Sequence, residues 1–179
     1  MDSINRNQPE DNHEDLHGEK ALRKMKELIG KTGTCFFCTC GGSSVSQGSR
    51  PMSVQQLDET GNLWFLSADD SHKNQELTVD PSVKLYFQGS AHSDFLVLSG
   101  TATISRDKAK IKELWEPIIK TWFTEGVDDP RITAIKVVPR EGYYWDTKHG
   151  IAVAGVKMLI GAAICKTLDD SIEGKISIH

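Results

Sequence analysis

Arg50, Ser71 and Lys73 are the residues whose types and surroundings best fit one chemical task, holding an anion. The last two follow an apolar run, Leu63-Trp64-Phe65-Leu66, which reads as a strand and breaks at Ser67 into Asp69-Asp70-Ser71-His72-Lys73. A short helix is expected over residues 74–79. Ser71 can cap that helix, and its unpaired amides point outward beside the Lys73 ammonium, so donors and positive charge converge at one turn. Arg50 begins another strand, Arg50-Pro51-Met52, after the Gly/Ser-rich residues 41–49. A guanidinium meets a phosphate with two parallel hydrogen bonds. These residues together predict a phosphorylated cofactor held by a small β protein.

Other chemistry-bearing residues point to structure more than to a site. Cysteines stand at 35, 38, 40 and 165, and Cys35-x-x-Cys38 has redox or zinc spacing. No second close pair completes four zinc ligands, and Cys35-Phe36-Phe37-Cys38-Thr39-Cys40 reads as strand interior, where free Cys packs as a small hydrophobe. Asp128-Asp129-Pro130 reads as a solvated turn that caps the next element, so no metal site is assigned. His149 could serve as a general acid or base, against a solvated loop histidine.

Lys plus Arg number 21 and Asp plus Glu 25, a net charge of −4, so no global basic field is available to attract nucleic acid. The chain's 179 residues suffice for one domain over residues 16–179, preceded by a polar tail at residues 1–15 that lacks the basic and apolar regions of a secretory signal. The most apolar late stretch, residues 151–165, contains Lys157 and is too short to span a bilayer. A cytoplasmic protein without a membrane partner is expected.

The elements that must position the site follow from periodicity. A helical stripe, Ala21, Leu22, Met25, Leu28 and Ile29, runs through residues 16–29 and ends at Gly30 and Gly33. Strands are expected over residues 34–40, 52–57, 62–67, 83–88, 94–105, 132–138 and 143–145, with a last edge strand over 175–178. Between them, residues 106–123 carry Ile111, Leu114, Trp115, Ile118, Ile119 and Trp122 at helical spacing. Their tryptophans read as core or as a cofactor wall. Short strands joined by tight turns predict a mainly β, antiparallel barrel or sandwich with flanking helices.

In this order the motifs resemble the pyridoxamine 5′-phosphate oxidase-like flavoproteins, and more closely their general stress protein branch. The resemblance rests on Arg50-Pro51-Met52, Gly61-Asn62-Leu63-Trp64-Phe65-Leu66-Ser67, Ser71-His72-Lys73, Ser99-Gly100-Thr101-Ala102, Leu114-Trp115, Trp122-Phe123, Asp128-Asp129-Pro130, Val138-Pro139 and Tyr144-Trp145-Asp146. It implies an FMN-binding split β-barrel that forms a homodimer with FMN at the subunit interface. Arg50 and Lys73 would hold the FMN phosphate, with Ser71 and the His72 amide at the same group. Ser67 and the Leu66 backbone would face the flavin or ribityl chain, Pro51 and Met52 the isoalloxazine edge, and Trp145 the partner's flavin. Read from the residues alone, Ser67 is equally a buried strand hydroxyl and Trp145 a core tryptophan. The resemblance implies an oxidoreductase on a small molecule, with a non-catalytic flavin-binding or stress-related protein, or a barrel using a deazaflavin or haem, as alternatives. The segment Asp146-Thr147-Lys148-His149-Gly150-Ile151 departs from the arginine- and histidine-bearing segment with which the true oxidase grips its product, so oxidation of vitamin B6 phosphates is not expected.

Overall fold

Hydrophobic alternation fixes the sheet. The computed structural model describes residues 11–40, 48–91, 93–150, 154, 156, 157, 160 and 170–178. Strand β1 (Leu16–His17) leads into helix α1 (Gly18–Thr32), followed by β2 (Thr34–Thr39), β3 (Ser49–Ser53), β4 (Gln56–Leu57), β5 (Leu63–Ala68), helix α2 (His72–Val79), β6 (Ser82–Gln88) and β7 (Phe95–Ser105). Helix α3 (Lys108–Leu114), two 3₁₀ turns (Pro117–Thr121 and Gly126–Asp128), β8 (Ile132–Thr147) and β9 (Ser171–Ser177) complete the order. The sheet runs β1-β9-β8-β7-β6-β2-β3, with β5 on β8 and β4 on β5. All pairings are antiparallel except β1 with β9. The expected split barrel is present, but its sheet does not close: among the described residues β3 pairs only with β2, and β5 runs on past its short pairing with β4.

The inward set, Cys35, Phe37, Leu63, Phe65, Val83, Leu85, Phe87, Leu96, Leu98 and Val137, forms one core with Ala21, Met25, Leu28 and Ile29 of α1. A second cluster lies on the other side of β5 and β8, where Ile111, Leu114, Ile119 and Phe123 cover Ile132 and Ala134.

Several expected elements change in the structure. The strand expected over residues 52–57 divides: Val54 N still donates to Gly33 O, whereas Gln55 N donates to Trp64 O, so the chain leaves β2 and joins β5 within one residue. The helix expected over residues 106–123 stops at Leu114, because Pro117 has no amide donor and disfavours helical backbone before it; a 3₁₀ turn follows. Trp115 packs on the second cluster and Trp122 is 67% exposed, so the aromatic stripe is core at one end only. Third, β8 runs unbroken through Pro139, tolerated at a bulge where Ser99 pairs with Glu141 and Gly100 with Pro139. The last strand is not an edge but sits between β8 and β1. Asn12 O, Glu14 N and Asp15 Oδ1 also bond to β9, so these residues of the expected polar tail are tied to the sheet.

The β7–β8 crossing is tight enough to demand glycine at 142, where a Cβ would lie 2.3 Å from Val97 O and 2.7 Å from Leu98 Cδ2. Gly142→Ala is expected to cost about 2–4 kcal/mol, because backbone rather than a flexible side-chain end must move. Gly30→Ala on α1, with nothing within 4 Å, is expected to change stability by less than about 1 kcal/mol in either direction. Urea midpoints of the two variants check the contrast, and equal midpoints would contradict it.

Candidate functional site

Strands β3 and β5 part at Val54 and Gln55, and α2 lies over the opening. The burial pattern of β3 turns Arg50 and Met52 to one face and Pro51 to the other. Across the split, α2 presents Lys73 and Glu76, one helical turn apart on a common face. The two elements are braced twice. Lys73 Nζ lies 3.5 Å from Met52 Sδ, and Arg50 Nη2 donates to Glu76 Oε2 at 2.8 Å.

Lys73 is 7% exposed. Lys24 meets Asp146 at 2.8 Å and Lys31 meets Asp94 at 2.5 Å, whereas Lys73 has no carboxylate within ion-pair distance among the described residues. Burial and the neighbouring Arg50 charge pull its pKa down to about 8, against some opposition from Glu76. Arg50 Nη1 is buried without a hydrogen-bond partner. Burial pushes the Glu76 carboxyl up, yet the Thr39 hydroxyl at 2.5 Å and Arg50 outweigh it and hold the pKa below its usual value. Two cations and a single carboxylate, itself taken up by internal donors, leave this split electropositive.

Hydroxyls and amides extend the same rim. Ser71 caps α2 by accepting from Asn74 N at 3.3 Å, and its Oγ lies 3.1 Å from Ser67 Oγ. Gln75 N reaches Ser71 O, but the His72 and Lys73 amides have no partner among the described residues. Asn74 Nδ2 donates to Thr133 Oγ1 at 2.9 Å, and Thr133 donates to Ser67 O at 2.9 Å, which fixes the cap against β5 and β8. Trp64 O accepts from Gln55 on the β4 side and Asp69 N reaches Arg131 on the β8 side, so by strand alternation the Leu66 backbone faces the open side of the split. The Leu66 side chain turns the other way, onto the second cluster.

Arg50, Met52, Ser67, Ser71 and Lys73 therefore come together, with Leu66 and His72 contributing backbone; the His72 side chain is exposed. Pro51 and Trp145 lie elsewhere in the chain's own fold. Pro51, Phe36, Tyr86, Val97 and Tyr143 are successive register partners on the outer face of β3, β2, β6, β7 and β8. Four strand spacings of about 4.8 Å separate the ends of that row, roughly 19 Å. Pro51 and Trp145 both line a depression of about 720 Å³ on this face, together with Phe36, Tyr86, Phe95 and Asp146.

Sequence reasoning missed Glu76, Thr39, Asn74 and Thr133. Glu76 carried a signal, since it stands three residues after Lys73 on a short helix; Thr133 pairs through tertiary packing alone. Cys35 is buried and Cys38 half-buried on β2 as expected, and burial pushes the Cys35 thiol up to about 12, whereas Cys40 is exposed just past the end of the strand at Thr39. Asp129 accepts from Arg131 N, Nε and Nη2, the capping expected of that loop, but it is fully buried and not the solvated turn expected, because these donors pair its carboxylate inside the fold. His149 is not a free loop histidine: its Nδ1 lies 2.7 Å from Asp170 Oδ1, a buried carboxylate that also meets Lys157. Among the described residues no group of three or more His, Cys, Asp or Glu side chains is placed to hold a metal. No described helix is long and apolar enough to cross a membrane. Cys165 and most of residues 151–169 lie outside the described residues.

An open split barrel with paired cations at its split defines the class of fold, and the sequence matches the pyridoxamine 5′-phosphate oxidase-like family over residues 20–169. The chain belongs to that family. It is similar to protein bli-3 of Neurospora crassa, 29% identical over 105 residues that cover 54% of this chain and 50% of that protein, so it spans about half the length of this relative. Among solved structures, a Clostridium acetobutylicum protein related to general stress protein 26 shares 25% identity with a TM-score of 0.59, over 70% of this chain and 88% of that one. A protein from Jannaschia sp. named after general stress protein 26 superposes with a TM-score of 0.73 at 19% identity, over 87% of this chain and 96% of that one. The general stress FMN/FAD binding protein of Xanthomonas citri superposes with a TM-score of 0.56 at 23% identity, over 66% and 82%.

The burial of Lys73 has a measurable consequence. Its pKa is lower folded than unfolded, so between about pH 8 and 10.5 the unfolded chain holds the extra proton and stability rises with pH. Below that window the charged form costs the fold on the order of 3 kcal/mol. Lys73→Met keeps the volume and removes the charge. The variant should be more stable than the parent at pH 7, by an amount that shrinks as pH is raised to 10. Chemical denaturation at several pH values measures the difference, and a variant less stable at pH 7 would contradict it.

Proposed function

We propose that the chain is an FMN-binding flavoprotein acting in oxidation or reduction of a small molecule, with the phosphate of FMN at the split between β3 and β5. The observation that carries this reading is Lys73, an ammonium buried beside a thioether and a second cation, next to the unpartnered Arg50 Nη1. A fold tolerates such a pair where an anion completes it. A phosphate monoester supplies two negative charges and three acceptor oxygens, matching Lys73, Arg50, the Ser71 hydroxyl and the open His72 and Lys73 amides. The residues present fit the group. Family membership and the likeness to a protein named for FMN/FAD binding support the choice of flavin.

Bound there, FMN would supply hydride or electron transfer. The protein's own part is to bind and orient. Arg50 and Lys73 anchor the phosphate end, Ser67 and the Leu66 backbone are placed to meet the chain or ring beyond it, and Met52 lines the passage between. Trp145 and Pro51 would act across a subunit boundary. The outer-face row of Pro51, Phe36, Tyr86, Val97 and Tyr143 is unusually apolar for solvent, with Phe36 58% and Tyr86 43% exposed. A two-fold homodimer through this face would cover it and carry each Trp145 toward its partner's β3. Residues 141–179 contain no arginine, and His149 is already paired with Asp170, so the arginine- and histidine-bearing grip of the true oxidase is not repeated in this segment; vitamin B6 phosphates are accordingly not the proposed substrates.

Titration of the flavin-free protein with FMN and with riboflavin tests the phosphate assignment. Arg50→Ala and Lys73→Ala should each weaken FMN by roughly 10- to 100-fold, the value of one charge-assisted bond, and riboflavin by much less. The FMN-loaded parent should run as a dimer in light scattering. Equal losses for both ligands, or an FMN-loaded monomer, would overturn this arrangement.

A further inference from the structure

We infer that Glu76 is the positioning residue of this site: it fixes the Arg50 guanidinium for the phosphate and so sets the preference for a phosphorylated flavin over an unphosphorylated one. The inference rests on the phosphate reading above and adds a residue that does not itself touch the anion. Glu76 Oε2 accepts from Arg50 Nη2 at 2.8 Å and from Thr39 Oγ1 at 2.5 Å. Thr39 is 7% exposed, and its backbone N–H donates to Gly48 O at 2.8 Å, which ties the brace to the end of β2. One carboxylate oxygen thus joins three elements, β2, α2 and β3.

The geometry decides between positioning and competition. If Glu76 were a stand-in for the phosphate, it would take the donors that the phosphate needs. It takes only Nη2; Nη1 remains without a partner, and Lys73 points to Met52, with no ion pair or hydrogen bond to Glu76. A guanidinium held at one nitrogen by an anchored carboxylate loses little further rotational freedom when its other nitrogen binds, and that pre-organisation favours the bound state. Both carboxylate and amide oxygens can accept from Thr39 and Arg50, so glutamine keeps the brace, whereas alanine releases it.

The test compares FMN and riboflavin affinities in four proteins: the parent, Glu76→Gln, Glu76→Ala and Thr39→Val. The parent's preference for FMN over riboflavin tests the phosphate reading alone, and a parent with no preference removes that reading before Glu76 is at issue. Given a preference, Glu76→Ala should reduce the FMN-to-riboflavin affinity ratio about tenfold with riboflavin binding nearly unchanged, and Glu76→Gln should stay within about threefold of the parent. Thr39→Val, which loosens the brace but keeps both charges, should lower the ratio several-fold, and it serves if Glu76→Ala does not fold. Tighter FMN binding in Glu76→Ala would make Glu76 a competitor and overturn the inference. So would equal losses for the two flavins, which mark a merely structural residue, or a glutamine variant as impaired as alanine.

Discussion

Strand β8 has one long neighbour and two short ones, and that asymmetry shapes the molecule. β7 follows it from Ala134 to Trp145, while its other edge is taken by β5 up to Val137 and by β9 from Glu141. Between the two, the bulge at Pro139–Arg140 increases local twist, and Gly100 and Gly142 let the backbones pass. β5 is thereby carried away from the β2–β3 edge instead of pairing with it. The sheet that could have closed stays open at β3, and α2 covers the opening from the end of β5.

An opening in a barrel wall is normally a liability, because strand edges and core become accessible. Here it is lined with groups that cost stability when the site is empty. The half-buried Lys24 and the exposed Lys31 are neutralised by Asp146 and Asp94, whereas the buried Lys73 has a methionine sulfur. The Thr39–Glu76–Arg50 brace keeps the second cation in place without cancelling the first. Under the phosphate reading proposed above, such a balance is a trade between binding and stability, in which a site is kept electrostatically strained so that its ligand relieves it.

Much of this was legible in the sequence because it depends on short-range rules. Ser71 as a cap and Lys73 in the first turn follow from a strand that ends in polar residues before a helix. Alternation placed β2, β5 and β6 almost to the residue. What failed was non-local. Met52 to Leu57 carries no Gly, Pro, Asn or Asp, so no strong local signal reports that the chain changes partners at Val54. Pro139 looks like a strand break unless the bulge opposite Gly100 is known. Trp145 reads as core or as cofactor contact from sequence, and only the register across five strands separates it from Arg50 by the width of the sheet. Pro117 was the one plain signal passed over, since it stops α3 by a rule that needs no tertiary information.

The most direct test of the central claim is the phosphorus NMR resonance of FMN bound to this protein, followed from pH 5 to pH 8. A free phosphate monoester loses its second proton near pH 6. Held between Arg50 and Lys73, the phosphate should remain a dianion, and its resonance should stay at the dianion position throughout that range. A bound resonance that titrates with a midpoint near 6, as free FMN does, would mean that the phosphate lies in solvent and that the split between β3 and β5 is not its site.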